Sequence, residues 1–318
     1  MVTRRLVRSS HPVLADLEWP VFEATGARDG PRVCLLAGVH GCEYSSIAAL
    51  VRFMRELDVS ALTGTILAVP VVSPTSFAAR SAFVVPEDGR NLNRSFPGDP
   101  NGSLTQVLAH HVFSEFVAGS DVLIDLHGGD MVEALEPFAL YDDSPARDTA
   151  ERLARAYGLS YVVCDTTDTL GGTTSAAAAA AGIPGFTAEA GGRGLLEPAE
   201  VQRHLHGLRN SLRAAGVLDG EPDPPAAGQQ LVRRFLWLRT SVHGWWQPAV
   251  DVGETVAAGD PVGTVLDGFG DLVETITAPE PGALLFLTSS PAVQADGLLA
   301  GLGAGLHPYE VPGNSSIP

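Results

Sequence analysis

The chain has 318 residues, 45% of them hydrophobic and 18% charged, a globular composition with length for one large core and a small extra domain. Its formal net charge of −17 makes nucleic acid and anionic membrane poor partners, and no apolar run approaches the roughly 20 residues that span a bilayer. All 20 basic residues are arginine, which excludes Schiff-base lysine chemistry, a P-loop lysine, and a lysine carrying lipoyl or biotin. Three scattered cysteines make no disulfide framework, and the basic start lacks the apolar stretch of a signal peptide. A cytoplasmic protein is the expectation.

In chain order, "RVCLLAGV" (32–39) reads as a buried strand, and Ile47, Leu50, Val51 and Met54 follow at helical spacing. "TILAVPVV" (65–72) reads as a second strand. The polar stretch 73–102 has no periodicity, and Ser103 with Gln106 forms a capping-box start for the next helix. "DVLIDL" (121–126) is a third strand. A helix over 146–157 stops at Gly158, and "YVVC" (161–164) is a fourth strand. An alanine-rich helix (173–182), the strand "GFTAEA" (185–190) and a helix opened by Pro198 follow. Strands alternating with helices predict an α/β domain over 1–218, with a mostly parallel sheet flanked by helices. "DGEPDPPAAG" (219–228) reads as a linker, and 229–318, with short runs punctuated by Gly, Pro and Asp, as a smaller all-β domain.

In open parallel sheets, sites form beyond the carboxyl ends of the strands. Three such ends carry chemistry here: His40 and Glu43 in "GVHGCE", His127 in "DLHGG", and Glu189 in "AEAGG". Two imidazoles and one carboxylate make the ligand set of a catalytic zinc site with a position left for water. Such a site stays net positive, so it can acidify water and polarise a carbonyl. Asp125 is a candidate acceptor for an imidazole N–H, although it shares a strand face with His127. Cys42 lacks a cationic setting that would make it a nucleophile. His110, His111, His204 and His206 read as surface or boundary histidines. The loop 86–102, "PEDGRNLNRSFPGDPNG", is too long to be a plain connection, and its Arg90, Asn91, Asn93 and Arg94 suit a carboxylate clamp.

"GVHGCE", "EDGRNLNRSFPG", "DLHGG" and "FTAEAGG", in this order, resemble the succinylglutamate desuccinylase/aspartoacylase family of zinc hydrolases, similar in fold to zinc carboxypeptidases. The resemblance implies one Zn2+ per chain on His40, Glu43 and His127. It implies Glu189 as general base, Asn93 and Arg94 on the substrate carboxylate, and an arginine at the oxyanion. Arg80 is the candidate for that last role, with Arg90 the alternative. The implied activity is hydrolysis of the amide bond of small N-acyl amino acids. A carboxypeptidase-like peptidase and a non-catalytic zinc-binding homologue are the competing readings, and the sequence leaves a homo-oligomer open. "VDVGETVAAGDPVGTVLDGFGD" resembles a barrel-sandwich element of lipoyl type, expected to pack on the catalytic domain and narrow its entrance.

Overall fold

The computed structural model describes residues 1–165 and 171–309, so the end of the expected C-terminal domain, 310–318, lies outside the described residues. The first ten strands are β1 (Val2–Arg8), β2 (Glu18–Thr25), β3 (Arg28–Ala37), β4 (Thr63–Val69), β5 (Val122–His127), β6 (Glu133–Leu135), β7 (Phe138–Asp142), β8 (Tyr161–Asp165), β9 (Gly185–Glu189) and β10 (Gln230–Val232). One large sheet runs in the order β1-β2-β4-β3-β5-β9-β7-β8-β10, closed by a short strand at His307–Pro308. The run β4-β3-β5-β9 is parallel, as is β7-β8-β10. Antiparallel pairs join β1 to β2, β2 to β4, and β7 to β9. The expected parallel sheet is therefore the centre of a mixed one. The antiparallel additions β1, β2 and β7 were not foreseen, because charged β1 and the short "FALYD" carry weak strand patterns.

Successive side chains of a strand point to opposite faces, and β3 shows why the sheet has two cores. Val33, Leu35 and Ala37 face one hydrophobic cluster, Cys34 and Leu36 the other. The first is roofed by helices α1 (Tyr44–Glu56), α4 (Arg147–Tyr157) and α6 (Pro198–Ala214), which bury Leu50, Phe53, Leu153, Leu205 and Leu208. The opposite face carries α3 (Leu104–Val112) and α5 (Thr174–Ala180), with α2 (Pro74–Ala79) nearby. Each fully buried Leu or Phe contributes roughly 1.5–3 kcal/mol relative to exposure. The foreseen capping box starts α3: Ser103 N–H donates to Gln106 Oε1 at 2.9 Å, and Gln106 N–H to Ser103 Oγ at 3.4 Å. Gly158 ends α4 in the left-handed conformation, as expected of its position.

The C-terminal region forms two antiparallel sheets. One holds strands Arg234–Arg239, Leu298–Ala304, Gly282–Thr288 and Thr255–Val256. The other holds Leu272–Thr277, Pro261–Leu266, Gly244–Pro248 and Ala292–Val293. Trp246, Val262, Val265, Leu284 and Leu302 fill the space they enclose. This region is stitched to the large sheet. Strand β6 pairs with Gly282–Thr288, β10 pairs with β8, and Phe235, Leu285 and Phe286 pack on Phe138 and Leu140.

Candidate metal centre and its cavity

The chain turns sharply between β3 and α1. At Gly41 a Cβ would lie 2.1 Å from the Phe77 nitrogen, so only glycine lets this turn press against α2. His40 sits in that turn and Glu43 is the N-cap of α1, where the helix dipole favours a carboxylate. The pair thus converges from a turn ahead of the helix rather than from its first turn. His127 ends β5 beside them, with Glu189 as its register partner on β9.

His40 Nδ1 lies 2.6 Å from Glu43 Oε1, and His127 Nδ1 lies 3.1 Å from Glu43 Oε2. One ligand atom from each of the three residues falls within 4.8 Å of the others. The outer ring nitrogens are occupied: His40 Nε2 faces Asn91 Oδ1 at 3.1 Å, and His127 Nε2 faces Asp125 Oδ2 at 2.9 Å. Asn91 Oδ1 also accepts the Asn93 N–H, and a carboxylate accepts only, so both rings donate outward from Nε2. Each Nδ1 then aims a lone pair at an acceptor-only carboxylate. His127 Nδ1 and Glu43 Oε2 are buried without a hydrogen-bond partner. Such a trio needs a positive charge between its members, and a divalent cation fits it.

The electrostatics agree. Burial works against charging His40 and His127, yet Glu43 at His40, and Asp125 followed by Glu43 at His127, outweigh it and raise both above the ordinary histidine range. Burial likewise opposes ionisation of Glu43, but His127 and His40 hold its carboxyl well below the usual carboxylate range. Sharing a strand face, noted above against Asp125, is what lets it reach His127, and the Thr174 hydroxyl secures it from α5. Burial pushes the Glu189 carboxyl up, against the attraction of His127.

The centre opens into a cavity of about 760 Å³ whose lining includes His40, Glu43, Asn91, Asn93, Arg94 and Glu189. Asn93 and Arg94 sit on a 3-10 turn, Leu92–Arg94, capped by Asn91. Asn93 Oδ1 accepts the Thr174 N–H at 3.1 Å, which keeps its amide nitrogen as a donor. Arg80 and Arg90 are not in the lining. Arg80 caps α2 in the left-handed conformation with an exposed side chain. Arg90 closes a turn with Val85 and is exposed. Cys42 is buried, and burial raises its thiol, which leaves it a poor nucleophile.

Several contributors went unread. Phe235, Trp237 and Phe286 of the C-terminal region line the same cavity, as does Glu133 of β6. Only Glu133 had a local signal, a carboxylate six residues beyond a strand-end histidine. His204, expected near the surface, is fully buried. Its Nε2 donates to the Ala190 carbonyl at 3.2 Å, just past Glu189, and its Nδ1 meets the Tyr157 hydroxyl at 2.7 Å. Burial lowers its pKa to about 4. Among the described residues, no helix is long and apolar enough to cross a membrane.

The family model of the succinylglutamate desuccinylase/aspartoacylase catalytic domain matches residues 29–215. An N-alpha-acetyl-L-2,4-diaminobutyric acid deacetylase of Halomonas elongata is 31% identical over 246 residues, 75% of this chain and 71% of that protein. The crystal structure of a succinylglutamate desuccinylase/aspartoacylase from Rhodobacter sphaeroides has a TM-score of 0.84 at 24% identity, covering 98% of this chain and 96% of that one. The product-bound ectoine utilization protein EutE from Ruegeria pomeroyi also scores 0.84 at 24% identity, over 95% of each chain. At that identity the structural likeness establishes the fold, and the family match adds the catalytic domain: the chain belongs to the succinylglutamate desuccinylase/aspartoacylase family.

Proposed function

We propose that this protein is a zinc-dependent deacylase of small N-acyl amino acids. The observation that carries the reading is the pair of Nδ1 lone pairs aimed at Glu43, each ring fixed by an outward hydrogen bond, at the floor of a cavity that also holds Glu189. His40, Glu43 and His127 would hold the metal. A zinc ion bound there would supply Lewis acidity, lowering the pKa of a water and polarising an amide carbonyl. Arg94 and the Asn93 amide bind the substrate carboxylate and so fix the acyl amide within the cavity. Glu189 takes a proton from the attacking water and delivers it to the departing nitrogen as the C–N bond breaks. The products are a carboxylate and a free amine. The similar Halomonas protein is named for the same kind of reaction, on an N-acetylated diamino acid.

The C-terminal region walls the cavity with Trp237, Phe235 and Phe286, which suits a small substrate better than a polypeptide. Metal analysis of the purified protein, joined to an amine-release screen over N-acyl amino acids and peptides, tests the reading. The expected result is about one zinc per chain with turnover confined to N-acyl amino acids. Release of C-terminal amino acids from peptides would establish the peptidase instead. Bound zinc with no hydrolysis anywhere in the screen would leave a sensing role.

A further inference from the structure

Two threonines open α5, and their hydroxyls do different things. Thr173 is the N-cap, its Oγ1 accepting the Ala176 N–H at 3.1 Å. The Thr174 hydroxyl is therefore not needed to start the helix, and it donates instead to Asp125 Oδ2. Thr174 and Asp125 are both fully buried, so bulk water does not reach the contact. Both hydrogen bonds that the described residues make to the Asp125 carboxylate converge on that one oxygen. His127 Nε2 donates to it at 2.9 Å, and Oδ1 is buried with no partner. Apart from His127 itself, Thr174 is thus the one described group that fixes this carboxylate. A carboxylate free to rotate would let the imidazole turn with it.

The backbone carrying Thr174 is tied to the turn that holds Asn93 and Arg94. Its N–H donates to Asn93 Oδ1 at 3.1 Å, and the Phe96 N–H donates to the Gly172 carbonyl at 3.0 Å. Gly172 has a φ of +80°, and a Cβ there would lie 2.7 Å from the Arg94 carbonyl carbon, so the segment meets the turn backbone to backbone. Asn93, Thr174, Asp125, His127 and Glu43 form one chain of buried contacts, from the cavity lining to the metal trio.

On the zinc reading above, we infer that Thr174 is a positioning residue for the metal centre: its hydroxyl fixes Asp125, and Asp125 fixes the ring of His127 for the ion. Thr174 is not in the cavity lining, so it acts only through these neighbours. Threonine suits the place because its N–H and its hydroxyl serve two different elements from one residue, and the two can be separated by substitution.

The test titrates zinc into the full chain against a competing zinc-binding chromophore, a readout that needs no turnover. Thr174→Val keeps the shape and the N–H but lacks the hydroxyl, and its zinc dissociation constant is expected to rise about five- to tenfold. Thr174→Ser restores the hydroxyl and stays within about twofold of the parent. If the valine variant does not fold, Thr174→Ala carries the same comparison. Asp125→Ala weakens zinc by about tenfold or more, and adding Thr174→Val to it changes little further, since both act through one contact. With zinc saturating, Thr174→Val lowers kcat and leaves KM within about twofold, because the Asn93 contact survives. A Thr174 that is merely structural would lower the unfolding temperature of the zinc-free protein and leave zinc affinity unchanged, and that result overturns the proposal. So does a serine variant as weak as the valine one, an additive double variant, or a rise in KM with kcat intact. A parent without zinc affinity overturns the zinc reading and this role together. Zinc bound in the expected order with nothing hydrolysed removes the deacylase reading and leaves the role of Thr174 standing.

Discussion

The floor of the cavity and its outer wall are built differently. The floor is three strand ends side by side: His40 in the turn after β3, His127 at the end of β5 and Glu189 at the end of β9, the last two being register partners. Its two imidazoles are fixed from behind, His40 by Asn91 and His127 by Asp125, which the Thr174 hydroxyl secures in turn. The wall comes from the C-terminal region and is built on aromatic side chains, Trp237 lying in ring contact with Phe235 at 4.7 Å and with Phe286 at 5.8 Å. A floor that must hold charge needs fixed hydrogen-bond partners. A wall that only excludes water and shapes space needs packing. The two should therefore fail in different ways when altered.

The largest effect belongs to the floor. Glu189→Gln keeps the shape but cannot take a proton, so kcat is expected to fall by about 10³-fold or more with zinc content unchanged. Stopped or steady-state kinetics alongside metal analysis reads both. A variant as active as the parent would remove Glu189 from the role of base.

Next is the support beneath Glu189. His204 is buried and neutral, with a folded pKa of about 4 against an ordinary 6.5. The unfolded chain therefore takes up that proton first as pH falls. The stability tied to His204 is intact above about pH 6.5 and drains away as pH drops towards 4, on the order of 3 kcal/mol in all. Urea midpoints across pH 4 to 7 should slope in the parent and flatten in His204→Gln. Equal slopes would mean that other groups carry the acid response.

The smallest effect belongs to the wall. Trp237→Ala opens the cavity without touching the metal cluster, and costs about 1 kcal/mol, or roughly fivefold, in KM with little change in kcat. A metal loss or a collapse of kcat would show that wall and floor are coupled. Truncation after residue 228 is a poorer test, because it also strips Leu231 and Val232 from the cores.

The floor was legible because strand ends in a parallel sheet converge by topology. Reading "RVCLLAGV", "DVLIDL" and "GFTAEA" as neighbouring strands was enough to bring His40, His127 and Glu189 together, although β3 and β5 end a residue or two from the expected points. Asp125 was correctly suspected but discounted, since alternation along a strand says which face a side chain takes and not what stands between two on that face. Arg80 and Arg90 show the reverse failure. Both are arginines near the right motif, yet a left-handed helix cap and a tight turn send them to solvent.

His204 was misread because helical spacing alone does not tell a buried polar position from a surface one, and only packing of α6 against Tyr157 decides it. The sequence by itself therefore determined the family, the central sheet and the trio His40, Glu43 and His127 that could hold a metal, gathered where strongly patterned strands end. The tertiary structure alone decided which arginines reach the cavity, what walls it, and that Glu133 lines it, because those depend on turn conformation and on contacts between segments far apart in the chain.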